Sequence, residues 1–91
     1  MGVVADLLRK KLSAAFSPIR LEVEDDSARH HGHAGAAPGG ESHFNVVIEA
    51  TAFKGMGRVQ RQRAVYAALS EELAGSVHAL SVKALAPGED A

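Results

Sequence analysis

The sequence predicts an α+β domain: a small mixed three-stranded sheet with helices on one face, in the order α-β-β-α-β. Three observations predict it. Two segments place apolar residues at helical spacing, and three others alternate apolar and polar residues with a period of two. The first two strand segments are joined by a loop and the last two by a helix, which makes the first pair antiparallel and the second parallel if they lie side by side. With 91 residues and 9.5 kDa, the chain has enough material for one two-layer core and no more.

Each element follows from its own residues. Val4, Leu7, Leu8, Leu12, Ala15 and Phe16 recur at helical spacing, with Arg9, Lys10 and Ser13 elsewhere on the wheel, which predicts a helix over 3–15. Ser17-Pro18 ends it, because a residue before proline avoids the helical region. Ile19, Leu21 and Val23 alternate with Arg20, Glu22 and Glu24 in a half-buried strand that stops at Asp25-Asp26-Ser27. Residues 27–42 have no period: Gly32, Gly35, Gly39, Gly40 and Pro38 surround His30, His31 and His33 in one long loop. Phe44, Val46, Ile48 and Ala50 alternate with His43, Asn45, Val47 and Glu49 as the second strand of a wide hairpin. After the break at Phe53 to Gly57, Val65, Tyr66, Leu69 and Leu73 form a helical stripe with Glu71 and Glu72 outside it, and Gly75 stops the helix. Val77 to Leu85 is the third strand, and 86–91 is a polar tail. No internal repeat divides the single domain spanning 1–91.

Composition excludes several classes. The charged fraction of 23%, the hydrophobic fraction of 46% and the net charge of −1 describe a soluble globular domain, not a disordered tail. Without cysteine the chain forms no disulfide and offers no thiolate as nucleophile or ligand. No apolar run approaches the roughly 18 residues a membrane helix needs, so no membrane association is expected. In Met1 to Leu12 the positive charges follow the apolar residues, unlike a signal peptide, and Asp6 stands where a myristoylation signal has Ser or Thr. A cytoplasmic setting is expected.

Candidate chemistry centres on five histidines. Arg29-His30-His31-Gly32-His33 presents imidazoles suited to iron, zinc or copper, although a solvated polar loop gives the same pattern. Alternation puts His78 on the face of Leu80 and Val82, either as a rim histidine bonded to a backbone carbonyl or as a ligand on a rigid strand. Glu41, Ser42 and His43 resemble an acid, nucleophile and base, but strand neighbours point to opposite faces, so Ser42 and His43 do not meet.

Lys54, Arg58, Arg61 and Arg63 open the second helix without an acid among them, against the helix dipole. An anionic partner such as a phosphate backbone accounts for this, and so do arginine stems lying over the core or pairing with Glu22, Glu24, Asp25 and Asp26. No interleaved aromatics support base stacking. Gly32-His33-Ala34-Gly35 matches a G-x-x-G string, yet it falls between strands and lacks a basic residue, unlike a nucleic-acid clamp.

Taken together, Asp25-Asp26-Ser27 before a His/Gly loop, Glu41-Ser42-His43-Phe44, Phe53-x-Gly55, Arg61-x-Arg63-x-Val65-Tyr66 and Val77-His78-Ala79-Leu80-Ser81 resemble the BolA family, in that order and from about Leu7 to Pro87. The resemblance implies a fold similar to the type II KH fold. It implies a non-enzymatic partner of monothiol glutaredoxins that shares a [2Fe-2S] cluster, the glutaredoxin bringing its cysteine and a glutathione thiolate. The isolated chain then holds no cofactor, and its apo form is expected to be a monomer, with a homodimer as the alternative. His78 matches the family's strand ligand. His33 matches the loop ligand, with His30 and His31 as alternatives. Arg61-Gln62-Arg63 departs from the family's frequent Arg-His-Arg, which leaves the middle position without an imidazole. The alternative implied function is a KH-like DNA-binding transcriptional regulator using Lys54, Arg58, Arg61 and Arg63. A small metal-dependent enzyme finds no general base or nucleophile in support.

Overall fold

In the computed structural model, residues 2–25, 43–75 and 77–89 are described. Helix α1 (Val3–Phe16) leads into strand β1 (Arg20–Asp25). Strand β2 (His43–Glu49) is followed by a single 3-10 turn (Thr51–Phe53), helices α2 (Arg58–Ala68) and α3 (Ser70–Ala74), and strand β3 (Ala79–Leu85). The sheet order is β1-β2-β3. β1 and β2 run antiparallel, with Arg20 opposite Glu49 and Asp25 opposite Phe44. β2 and β3 run parallel, with His43 opposite Ala79 and Glu49 opposite Leu85. The mixed sheet expected from the sequence is therefore present, with β2 at its centre.

Alternation in β2 is strict. Phe44, Val46 and Ile48 are buried, while His43, Asn45, Val47 and Glu49 are half-buried on the other face. The buried face meets Leu8 and Leu12 from α1, Val65 from α2 and Leu69 at the helix junction, all without solvent exposure. Phe53 is equally buried, its ring 5.0 Å from that of Phe16. Removing these side chains from water is the main stabilising term of so small a domain.

The α1 stripe is narrower than the spacing suggested. Ala5, Leu8 and Leu12 are buried, whereas Leu7 and Ala15 face solvent. One sheet face covers only part of a helix circumference, so the outer apolar positions stay wet. The helix stops where expected: Ser17 adopts left-handed angles (φ 45°, ψ 58°), and its N–H donates to the Ser13 carbonyl. Ile19 is 65% exposed and lies just outside β1, although its N–H donates to Glu49 O at 2.8 Å.

The predicted single helix over Val59 to Gly75 is two. At Leu69 (φ −111°, ψ 20°) the backbone leaves helical geometry, with the Leu69 N–H shared between the carbonyls of Val65 and Tyr66, and α3 restarts at Ser70. Two expectations for this region are corrected. Glu72 is inside, at 8% exposure. Tyr66 is 39% exposed and donates its hydroxyl to Leu80 O at 3.0 Å. Gly75 does stop the helix, but with φ −118° instead of a left-handed cap. At the start of α2, the Gly57 N–H donates to Gln60 Oε1 at 3.1 Å, which occupies one amide left open by helix geometry.

The C-terminal residues are more than a polar tail. Ala86 is buried, the Gly88 N–H donates to Glu49 Oε2 at 3.2 Å, and Glu89 Oε1 accepts from the Ala86 N–H at 2.9 Å. Residues 90 and 91 lie outside the described residues.

Candidate functional site

Three chain segments converge at one end of the sheet. β1 ends there at Asp25, β2 begins there at His43, and β3 begins there at Ala79. His78 immediately precedes β3 and is exposed. The strand is thus shorter than the predicted Val77 to Leu85. His78 stands beyond the last sheet pairing. Among the described residues its imidazole makes no hydrogen bond, so the rim histidine tied to a carbonyl is not what the structure shows.

The placement of His78 rests on Val77, which is buried at 3% exposure, with its N–H donating to Glu72 O at 2.9 Å. The segment joining β1 to β2 leaves the sheet at Asp25 and returns at His43, which pairs with Ala79 next to His78; Asp25 is at the same end of the sheet, one strand further away. His30, His31 and His33 belong to that segment and lie outside the described residues, as do Glu41 and Ser42. His43 is described, half-buried on the face opposite Phe44. Among the described residues no three His, Asp or Glu side chains form a group able to hold a metal ion. The described part of this chain offers exposed imidazole nitrogen, a donor type found on one iron of Rieske [2Fe-2S] centres.

The basic residues part company in the structure. Lys54, Arg58 and Arg63 are exposed. Arg61 is drawn inward: its guanidinium donates to Met56 O at 2.9 Å, to Ala84 O at 3.1 Å, and to both carboxylate oxygens of Glu89 at 2.6 and 3.0 Å. These bonds hold the Glu89 carboxyl down at about 2, the Arg61 bond first and the Ala86 amide second, and they raise the Arg61 pKa further. The acids expected to serve the arginines were those of β1, but Glu22 pairs with Arg20 instead. Lys83, Arg58 and Arg61 line an open cleft of about 660 Å³ together with Met56 and Val82.

Two features escaped the sequence reading. Glu89 looked like tail, because a carboxylate past the end of a strand gives no periodic signal. Lys11 and Glu72 are joined at 2.6 Å across α1 and α3, a contact between residues remote in sequence. A charged residue is normally assigned to solvent, although Glu72, seven residues after Val65 and three after Leu69, has the helical spacing of those two buried residues.

This is a small α+β domain with an exposed histidine at the end of the sheet where β1 stops and β2 begins. The BolA-like protein family model matches residues 12–89. The chain belongs to the BolA-like family. It is 45% identical over 89 residues to BolA-like protein 1 of Bos taurus, covering 98% of this chain and 63% of the bovine protein. It is 42% identical over 80 residues to the DNA-binding transcriptional regulator BolA of Escherichia coli, covering 88% of this chain and 72% of that protein. The BolA domain of SufE1 from Arabidopsis thaliana superposes with a TM-score of 0.86 at 41% identity, over 99% of both chains. The chain therefore spans under two thirds of the length of the bovine relative.

Proposed function

We propose that this chain is a non-enzymatic partner of a monothiol glutaredoxin that shares a [2Fe-2S] cluster with it, in cytoplasmic iron–sulfur cluster trafficking or iron sensing. His78 supplies one imidazole ligand and His33 the second, with His30 and His31 as alternatives. The glutaredoxin cysteine and a glutathione thiolate complete the cluster. Membership of the family supports the reading, as does a relative that joins a BolA domain to a SufE1 name. The observation that carries it is the position of His78. It is exposed, it makes no hydrogen bond among the described residues, and it sits where the histidine-bearing segment leaves and rejoins the sheet.

The chemistry is consistent with transfer. Imidazole donates less electron density than thiolate and raises the potential of a [2Fe-2S] centre. A chain without cysteine holds its side of the cluster by nitrogen alone, so the thiolate partner dominates retention. The test is titration of the protein into cluster-loaded monothiol glutaredoxin, followed by visible circular dichroism. A new spectrum that saturates at one to one is expected. An unchanged spectrum with folded protein overturns the reading.

A second reading, DNA-binding regulation, is favoured by the exposed Lys54, Arg58 and Arg63 and by the name of the Escherichia coli relative. Arg61 is committed to Glu89 and adds little to it. Phosphate contacts by the three remaining cations require a log–log salt slope near −3, at about −0.9 per contact. A flat salt dependence removes this reading.

A further inference from the structure

We infer that Lys11 and Glu72 are positioning residues for His78; the inference rests on the cluster-sharing reading given above. Glu72 is the buried charged side chain among the described residues, and it is costly to keep there. Its Oε2 accepts from Lys11 Nζ at 2.6 Å. Its Oε1 is out of solvent contact and has no hydrogen-bond partner among the described residues. A helix surface glutamate has no need of such a site, and the adjacent position was available: Glu71 holds the same Lys11 at 2.8 Å while remaining 85% exposed.

What burial gives Glu72 is a fixed backbone. Its carbonyl accepts two N–H groups, from Gly75 at 3.1 Å and from Val77 at 2.9 Å. The second of these bonds ends one residue before His78. A chain of constraints thus runs from α1 through Lys11 Nζ to the Glu72 carboxylate, along the Glu72 backbone to its carbonyl, and then to the Val77 amide. α1 is itself anchored in the core by Leu8 and Leu12 on either side of this contact. The exposed imidazole is therefore referenced to the rigid core, which a ligand on a connecting segment otherwise lacks. Ligand geometry must be held within fractions of an ångström to matter at a metal centre.

The test compares Lys11→Met, Glu72→Gln and the conservative Lys11→Arg in the full chain. Amide exchange at Val77, the ring resonances of His78, and cluster uptake in the glutaredoxin titration are the readouts. In Lys11→Met, Val77 exchange is expected to accelerate about tenfold or more and the His78 resonances to shift, while Val46 and Ile48 keep their protection. Glu72→Gln, which keeps a hydrogen bond but not the charge pair, is expected to lie between wild type and Lys11→Met, and Lys11→Arg to restore wild-type behaviour. The half-saturation point of the mixed cluster should rise in the same order. Unchanged Val77 exchange in Lys11→Met overturns the inference. So does an equal loss of protection at Val77, Val46 and Ile48 in both variants, which makes the pair a general structural tie. If wild-type protein forms no mixed cluster, the proposed function fails, whereas the exchange and resonance data still decide whether the pair holds Val77 and His78.

Discussion

Arg61 and Glu89 meet as a two-bond fork, Nη1 on Oε1 at 2.6 Å and Nη2 on Oε2 at 3.0 Å, and the same guanidinium reaches Ala84 O. The fork ties the turn after β3 to the first turns of α2. Because Glu89 also accepts the Ala86 amide, a single carboxylate closes the turn and anchors it.

The fork predicts an acid response. The Glu89 carboxyl is held at about 2 in the folded chain, below the usual 4.5. A depressed folded pKa contributes stability that is present above the unfolded value and is lost as pH falls from about 4.5 toward 2. Urea melts of wild type and Glu89→Gln across that range should converge as pH falls, the variant being less stable at pH 7. Parallel curves would mean that the fork does not contribute.

Leu69 tests the helix junction. It is fully buried at the break between α2 and α3. Leu69→Ala is expected to cost about 2–5 kcal/mol in equilibrium unfolding. A loss under about 1 kcal/mol would mean that the junction is not part of the core.

Tyr66 tests the sheet edge. Its hydroxyl caps the Leu80 carbonyl at 3.0 Å from a partly exposed position. Tyr66→Phe should cost about 0.5–1.5 kcal/mol by thermal or denaturant melting. No measurable change would show that water replaces the hydroxyl at no cost.

The histidines separate function from folding. His78 is exposed and outside the core, so His78→Ala should unfold at the wild-type denaturant midpoint yet abolish the mixed-cluster spectrum. Replacing His33 should alter that spectrum more than replacing His31. The reverse order would move the loop ligand.

Much of the fold was legible because burial enforces period. Phe44, Val46 and Ile48 announce β2, since a strand covered on one face must alternate. Ser17-Pro18 announces the end of α1 through local sterics. The two-helix break does not announce itself, because Leu69 is an ordinary helix former and its conformation is set by packing. The site divides in the same way. The position of His78 at the head of β3 follows from alternation, but its exposure depends on where pairing with β2 begins. The divergence of Arg61 from Arg58 and Arg63 needed Glu89 folded back onto α2, which no local pattern encodes.

The parallel register of His43 with Ala79 sets an order of events during folding. β3 reaches its partner only after the 3-10 turn and both helices of the crossover have been laid down between them. β1 and β2, although antiparallel, are also joined across a long connection. Neither strand pair is a tight hairpin that forms on its own in microseconds, so completion of the sheet must wait for α1 and α2 to collapse onto β2. Refolding should then be governed by helix docking, and β3, with the site at its head, should be the last strand to become protected.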